Sequence, residues 1–340
     1  MMPSLSDLKN LFPTKLHAII FVGYMALFIN QGILVTATKD KNNKYPYNPT
    51  TLVLLSECLK MVTAAVLYAK DDGISGVISG TVKYSRVLLW YLVPAFLYCL
   101  YNNLAFVNLQ SYDPTSYFLL LQFRVVVTGV IFQVVFKKKL SRTQWFSLIL
   151  LTLGCIIKQL NISGGSSSTS FNFALNFNFM LILVQIFCSC FAGVYNEYLL
   201  KGNKEDVPFM LQNVFMYMDS IVCNAIVLAY TGKLMGAFTP DAMQTILQPK
   251  VILIIINNAA IGIVTAMFLR SLNSILKTFA SALELMFTAV LSWMLFGIPV
   301  NVLTAVAIAI VSYATLLYAQ NPVDNTKPVN ENREEDNSKV

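Results

Sequence analysis

Apolar runs of about twenty residues recur along the whole 340-residue chain, and they constrain its fold more than any other feature. Twenty residues of α-helix rise about 30 Å, the thickness of a bilayer's hydrocarbon core. Ten such runs are predicted, at 16–37, 50–69, 87–109, 115–136, 143–160, 174–199, 208–231, 250–270, 277–297 and 300–319. In hydrocarbon every backbone N–H and C=O must be satisfied within the protein, so runs of this length read as spanning helices. Composition agrees: 56% of residues are hydrophobic and 12% are charged, whereas soluble domains carry about 25% charged residues. The expected class is all-α, a polytopic membrane protein with ten transmembrane helices. The first run is too long, and too poor in small residues at its end, for a cleavable signal peptide.

The basic residues orient this bundle. With a cytosolic N-terminus and an even number of spans the C-terminus is cytosolic too. Sixteen Lys and Arg then fall on the cytosolic side against six on the other, as the positive-inside rule favours. The net charge of +7 is therefore an orientation bias, and no nucleic-acid partner is expected. The six cysteines, at 58, 99, 155, 188, 190 and 223, all fall inside predicted spans and read as small packing residues. The spacing of Cys188 and Cys190 does not suit zinc. His17, the single histidine, sits at the mouth of the first span. Triad, His-metal and HExxH chemistry have almost nothing to work with, so no metal site, cofactor or enzymatic reaction is expected.

Five segments are expected: a cytosolic N-terminus at 1–15, a five-span half at 16–160, a luminal flexible linker at 161–173, a second five-span half at 174–319, and a disordered cytosolic tail at 320–340. The linker is Ser/Gly-rich and the tail polar and Pro/Asn-rich. Asn161-Ile-Ser163 is a glycosylation sequon on the luminal side. The tail carries no endoplasmic reticulum retrieval signal, which points to the Golgi membrane. Laying residue n on n+160 places FRVVVTGVIFQVVF (123–136) on LELMFTAVLSWMLF (283–296), matching Thr128 with Thr288 and Phe136 with Phe296. Halves of five spans each, an odd number, must be inverted relative to one another. Such inverted repeats hold transport sites near the bilayer midplane. The same register sets Arg124 opposite Glu284.

Polar residues inside the spans mark a site. Arg124 lies near the middle of Tyr117–Phe136, a run otherwise free of charge. A guanidinium there costs at least about 2.5–3.5 kcal/mol and cannot deprotonate, so it must meet an anion or a water-filled cavity. Glu57 and Lys60 are i,i+3 on the second span and can pair. Tyr98 and Asn102 are i,i+4 on the third, with Tyr101 and Asn103 beside them; Asn213 and Tyr217 are i,i+4 on the seventh. Lys277, Ser281 and Glu284 share a face of the ninth, and Tyr195 and Glu197 lie late in the sixth. Each Asn or Tyr serves equally well as an interhelical tie, worth about 0.6 kcal/mol. The cations Arg124, Lys60 and Lys277 are harder to explain that way. Arg offers a planar fork to phosphate oxygens, Lys a mobile point charge, Tyr a face for a ring and Asn a paired donor and acceptor. Phosphate, ring and hydroxyls together describe a nucleotide or a nucleotide sugar.

The stretch YCLYNNLAFVNLQSYDPTSYFLLLQFR (98–124), with KKKLSRTQW (137–145), FAGVYNEYLLK (191–201), QNVFMY (212–217) and NSILKTFASALELMFTAVLSWMLFG (273–297), resembles the nucleotide-sugar transporters of the Golgi and endoplasmic reticulum. The relatives in question are the CMP-sialic acid, UDP-galactose and UDP-N-acetylglucosamine transporters. The resemblance covers roughly residues 16–320, and FAGVYxE with LSxxQW is specific to the group. It implies ten spans in two inverted five-helix repeats and exchange of a cytosolic nucleotide sugar for the luminal nucleoside monophosphate. It assigns the nucleoside to Asn102, Asn213 and Tyr217, the phosphate to Lys277 and Arg124, and the sugar end or the coupling of gates to Glu57 and Lys60. Partners in keeping with that role are a second copy of the chain and glycosyltransferases. Two positions depart from the pattern: Arg124 stands where relatives commonly carry Lys, and Glu284 where they carry a small residue. A Glu284 pair with Arg124 or Lys277 would close the empty cavity.

Pyrimidine nucleotide sugars, UDP-galactose ahead of CMP-sialic acid, are the expected substrates. Export of other metabolites on the same fold and a non-transporting scaffold or regulator stand as alternatives. A membrane enzyme would need an Asp-rich motif or paired histidines, and neither is present.

Overall fold

The computed structural model describes residues 12, 14–38, 47, 49–111, 117, 120–162, 177–202, 206–230, 232, 234–296 and 302–323. Twelve helices are bounded among them: α1 (Lys15–Ala37), α2 (Pro49–Lys83), α3 (Ser85–Ser111), α4 (Arg124–Phe136), α5 (Arg142–Ile162), α6 (Phe177–Gly202), α7 (Phe209–Tyr230), α8 (Leu234–Ala237), α9 (Pro240–Ile246), α10 (Pro249–Ser271), α11 (Ser274–Phe296) and α12 (Val302–Gln320). The described residues contain no strand. Among the described residues eight helices are long and apolar enough to cross a membrane, and Arg124–Phe136 and Arg142–Ile157 are shorter apolar helices. The chain is a multi-pass helical membrane protein.

Helix ends follow local chemistry. Ser141 and Gln144 form a capping box at the start of α5: the Gln144 N–H donates to the Ser141 hydroxyl (3.2 Å) and the Ser141 N–H to Gln144 Oε1 (2.8 Å). Pro240 and Pro249 open α9 and α10, where a missing N–H costs nothing. Lys137, at φ 53°, ends α4 in the left-handed region.

Two predicted spans change shape. The second, expected at 50–69, runs on as a 35-residue helix that bends at Gly73. There φ is 73°, a conformation glycine adopts without strain. Beyond the bend the helix hugs α7 so closely that a Cβ on Gly80 would lie 2.9 Å from a Leu211 methyl. The fourth, expected as one helix over 115–136, is broken: Gln122 and Phe123 form a turn, and α4 begins at Arg124. An unbroken apolar run cannot reveal such a turn, because hydropathy reads side chains and not backbone hydrogen bonds. Two short helices, α8 and α9, fill the connection from α7 to α10. The predicted linker and tail lie mostly outside the described residues, and so does the side chain of Asn161.

The main packing seams are α5 on α12, α3 on α6 and α7, α2 on α7 and α10, α1 on α10 and α11, and α4 on α6. Smaller ones join α4 to α5, α11 to α12 and α4 to α11. Exchanging α1–α5 in order with α6, α7, α10, α11 and α12 returns these pairs, while a further seam, α6 on α10, has no counterpart of similar size between α1 and α3 among the described residues. Aromatic rings fill the core between them: Phe279 stacks on Tyr318 at 4.5 Å, and Tyr24 meets Phe268 at 4.9 Å. Polar ties cross the seams, with Tyr91 donating to Gln212 (2.6 Å) and Asn30 to Asn257 (2.9 Å). The six cysteines are free thiols.

Candidate functional site

The starts of α4 and α11 meet at one cavity of about 360 Å³, within the size range of small-molecule sites. Its lining brings Tyr101 from α3, Tyr117, Leu121 and Gln122 from the segment before α4, and Arg124, Val125 and Thr128 from α4. Cys155 comes from α5, Ser189, Cys190 and Gly193 from α6, and Ser274, Lys277, Thr278, Ser281, Ala282, Glu284 and Leu285 from α11.

The break before α4 has a direct consequence. Arg124 is the first residue of its helix, and no side chain caps that N-terminus. Lys277 sits in the first turn of α11. Both cations therefore stand at helix N-termini, where partial positive charge from the backbone adds to their own. Discontinuous helices aim such ends at anionic groups in membrane transporters. Arg124 is held in place through its carbonyl, which accepts from the Thr128 hydroxyl (2.7 Å) and the Cys190 thiol (3.2 Å). Tyr117 is held by a chain in which Asn108 donates to Gln185 (2.7 Å) and Gln185 donates to the Tyr117 hydroxyl (2.8 Å). Ser281 meets the Tyr24 hydroxyl at 3.3 Å, tying α11 to α1 behind the cavity.

Neither Arg124 nor Lys277 makes an ion pair among the described residues; the two pairs found there are Lys60–Glu57 and Lys201–Glu197, each 2.7 Å. Glu284 lines the same cavity. Two half-buried positive charges facing one space, with a tyrosine edge and a rim of hydroxyls, can bind a phosphate-bearing anion with a ring beside it.

Of the ten residues expected at the site, four line this cavity: Arg124, Lys277, Tyr101 and Glu284. Tyr98 stands just behind, its hydroxyl 3.6 Å from where a Cβ on Gly193 would lie. Glu57, Lys60 and Tyr217 gather elsewhere, on the α2–α7 seam: Lys60 pairs with Glu57 and lies 5.7 Å from the Tyr217 ring centre. Gly262 of α10 makes room for them, since a Cβ there would stand 2.7 Å from Lys60 Cδ and 3.1 Å from the Tyr217 hydroxyl. Asn213, one turn before Tyr217, is buried and donates to the Phe209 carbonyl at 2.9 Å. Asn102 is exposed and outside the cavity lining. Tyr117, Gln122, Ser189, Ser274 and Thr278 join the site without having been expected. The only available signal was weak: Thr278 adjoins Lys277, and Thr128 lies one turn after Arg124 on the same helix face.

Comparison with known proteins gives the family of the chain. Residues 14–319 match the nucleotide-sugar transporter family. The UDP-galactose transporter senju of Drosophila melanogaster is 52% identical, the match covering 93% of this chain and 89% of senju. CMP-sialic acid transporter 1 of Oryza sativa subsp. japonica is 28% identical over 85% of this chain and 89% of its own. A crystal structure 13% identical in sequence, covering 88% of this chain and 95% of its own, matches with a TM-score of 0.57 and shows the fold alone. With a family match over nearly all the described helices and a relative sharing half its residues, the chain belongs to the nucleotide-sugar transporter family and is a transporter, not an enzyme.

Proposed function

We propose that this chain exchanges a cytosolic pyrimidine nucleotide sugar, UDP-galactose first, for the luminal nucleoside monophosphate by alternating access. The observation that carries the reading is the pair of cations, Arg124 and Lys277, that face one cavity without an ion-pair partner among the described residues. Arg124 supplies a fork and Lys277 a point charge for phosphate, and Tyr101 a face for a ring. The nucleoside end falls to Asn102, Asn213 and Tyr217, which have to meet the cavity in another conformation of the cycle. Glu57 and Lys60 couple that seam to the movement. An empty, occluded cavity would leave both cations poorly solvated, so a bound phosphate lowers the barrier to reorientation. Obligatory exchange follows from that difference.

The exchange symmetry of the packing seams supports two five-helix halves, with α4 and α5 counted among ten spans and the halves inverted. The distribution of Lys and Arg supports cytosolic termini, and the expected location is the Golgi membrane. The substrate preference leans on the 52% identical relative, whose name carries UDP-galactose.

Proteoliposomes loaded with UMP, CMP or GMP and offered labelled UDP-galactose or CMP-sialic acid decide the matter. UDP-galactose uptake driven by internal UMP is expected. Uptake of CMP-sialic acid alone, driven by CMP, moves the substrate to the other relatives. Uptake indifferent to the internal nucleotide overturns exchange.

A further inference from the structure

Glu197 is buried near the end of α6 and does not line the cavity. A carboxylate inside a spanning helix is expensive unless it is answered, and this one is answered twice. One oxygen accepts from the Lys201 ammonium at 2.7 Å, and the other accepts from the backbone N–H of Ser274 at 2.7 Å. Lys201 also donates to the Leu272 carbonyl. Asn273 completes the cap, its side-chain oxygen accepting from the Leu276 N–H at 2.6 Å. The start of α11 is thus pinned by a side chain from a different helix.

Ser274 lines the cavity, and Lys277 follows three residues later, about 4.5 Å along the helix axis. α6 packs mainly on α3 and α4, whereas α11 packs mainly on α1 and α12. The Glu197 carboxylate therefore ties together two groups of helices at the rim of the cavity. The repeat makes this tie one-sided. Laying n on n+160 sets Ala37 opposite Glu197 and Pro114 opposite Ser274. Alanine has no carboxylate and proline no N–H to donate, so the first half cannot build the same pin.

We propose that Glu197 is a positioning residue for the anion site: by pinning the first turn of α11 it presents Lys277 to the cavity, while Lys201 neutralises the carboxylate and keeps it from competing for Lys277. A binding group has to be held within about 0.5 Å of its working position by the shell behind it. The pin supplies that shell at the one cavity cation that stands on α11. Only the identity of the anion rests on the nucleotide-sugar reading; the pin does not.

Two measurements on the purified full chain test this. Hydrogen exchange of a peptide covering 272–280 reads the pin without any ligand. Glu197→Ala is expected to speed it roughly tenfold, and Glu197→Gln, whose amide oxygen still accepts from Ser274, to stay near wild type. Binding of UMP and of UDP-galactose reads the consequence. Glu197→Ala weakens it about 10–100-fold, Glu197→Gln largely restores it, and Glu197→Ala combined with Lys277→Ala is no worse than Lys277→Ala alone. A residue that matters only for folding would lower the yield of active protein and leave affinity as it was. Unchanged exchange in Glu197→Ala, or losses at Glu197 and Lys277 that multiply, overturns the proposal. If Glu197→Ala gives no folded protein, Glu197→Asp, one methylene short of Ser274, is expected to show the same faster exchange, and wild-type exchange there overturns the proposal. A wild type that binds neither nucleotide sinks the functional reading while the exchange arm still judges the pin.

Discussion

Two regions of this protein keep lysine inside spanning helices, and they treat it oppositely. On the α2–α7 seam Lys60 meets Glu57 at 2.7 Å, one turn away on its own helix, and lies near the Tyr217 ring with Gly262 yielding space. In the cavity Lys277 and Arg124 face shared space with no ion pair among the described residues. A paired charge is already stabilised and contributes to the architecture. An unpaired charge is stabilised only when something arrives. The contrast separates cations that hold the carrier together from cations that wait for cargo, and it can be broken by experiment.

The largest expected effect is on transport. Lys277→Ala and Arg124→Ala each remove a charge-assisted phosphate contact worth about 1.5–3 kcal/mol, roughly a ten- to hundredfold loss in apparent affinity. Arg124→Lys keeps the charge but loses the fork and is expected to fall between. None of these should lower the melting temperature of the empty carrier, because no ion pair is lost. Uptake assays beside thermal shift read both halves of this statement, and full transport by either alanine variant would dissolve the comparison.

At the paired site the ranking reverses. Lys60→Met leaves Glu57 unanswered in a spanning helix, at a cost on the order of 3 kcal/mol, seen as a lower melting temperature and a lower yield. Glu57→Gln with Lys60→Met removes both charges and should recover much of that stability. Equal damage in the single and double variants would mean that the pair does not act as a pair. Gly262→Ala presses on the same lysine. The added methyl meets Cδ and Cε at 2.7 and 2.8 Å, and since the far part of a lysine stem can shift, about 1 kcal/mol is expected. A neutral Gly262→Ala would show that Lys60 has more freedom than this packing implies.

Much of this was legible in the sequence because a membrane fixes the length of apolar runs. α6 and α12 begin and end within about three residues of their predicted limits. The second span was legible, its apolar part at Thr51–Asp71 lying close to the predicted 50–69, but the helix runs on to Lys83 through polar, glycine-rich residues that carry no apolar signal. The break before Arg124 was invisible because Gln122 and Phe123 are not unusual in an apolar run. The i,i+4,i+7 face of Lys277, Ser281 and Glu284 was legible, since all three stand on one helix. Which helices share a cavity was not, so Tyr117, Ser189 and Thr278 looked like any polar residues in a span. Glu57 and Lys60 were seen as a pair from their spacing, but the ring of Tyr217 and the space left by Gly262 come from α7 and α10, which no local pattern connects to α2.

The smallest effect is the sharpest test of where the cargo reaches. The Tyr217 hydroxyl is buried and has no hydrogen-bond partner among the described residues. If it only packs, Tyr217→Phe removes an unsatisfied group and should raise stability while leaving KM alone. If the nucleoside engages it during the cycle, as proposed, the variant loses one neutral hydrogen bond of about 0.5–1.5 kcal/mol, a rise of roughly two- to twelvefold in KM for UDP-galactose. The second result is the expected one. Measuring KM and melting temperature on the same preparation separates the two, because packing moves only the melting temperature. A higher melting temperature with an unchanged KM would return Tyr217 to the architecture of the α2–α7 seam and confine substrate recognition to the cavity of Arg124 and Lys277.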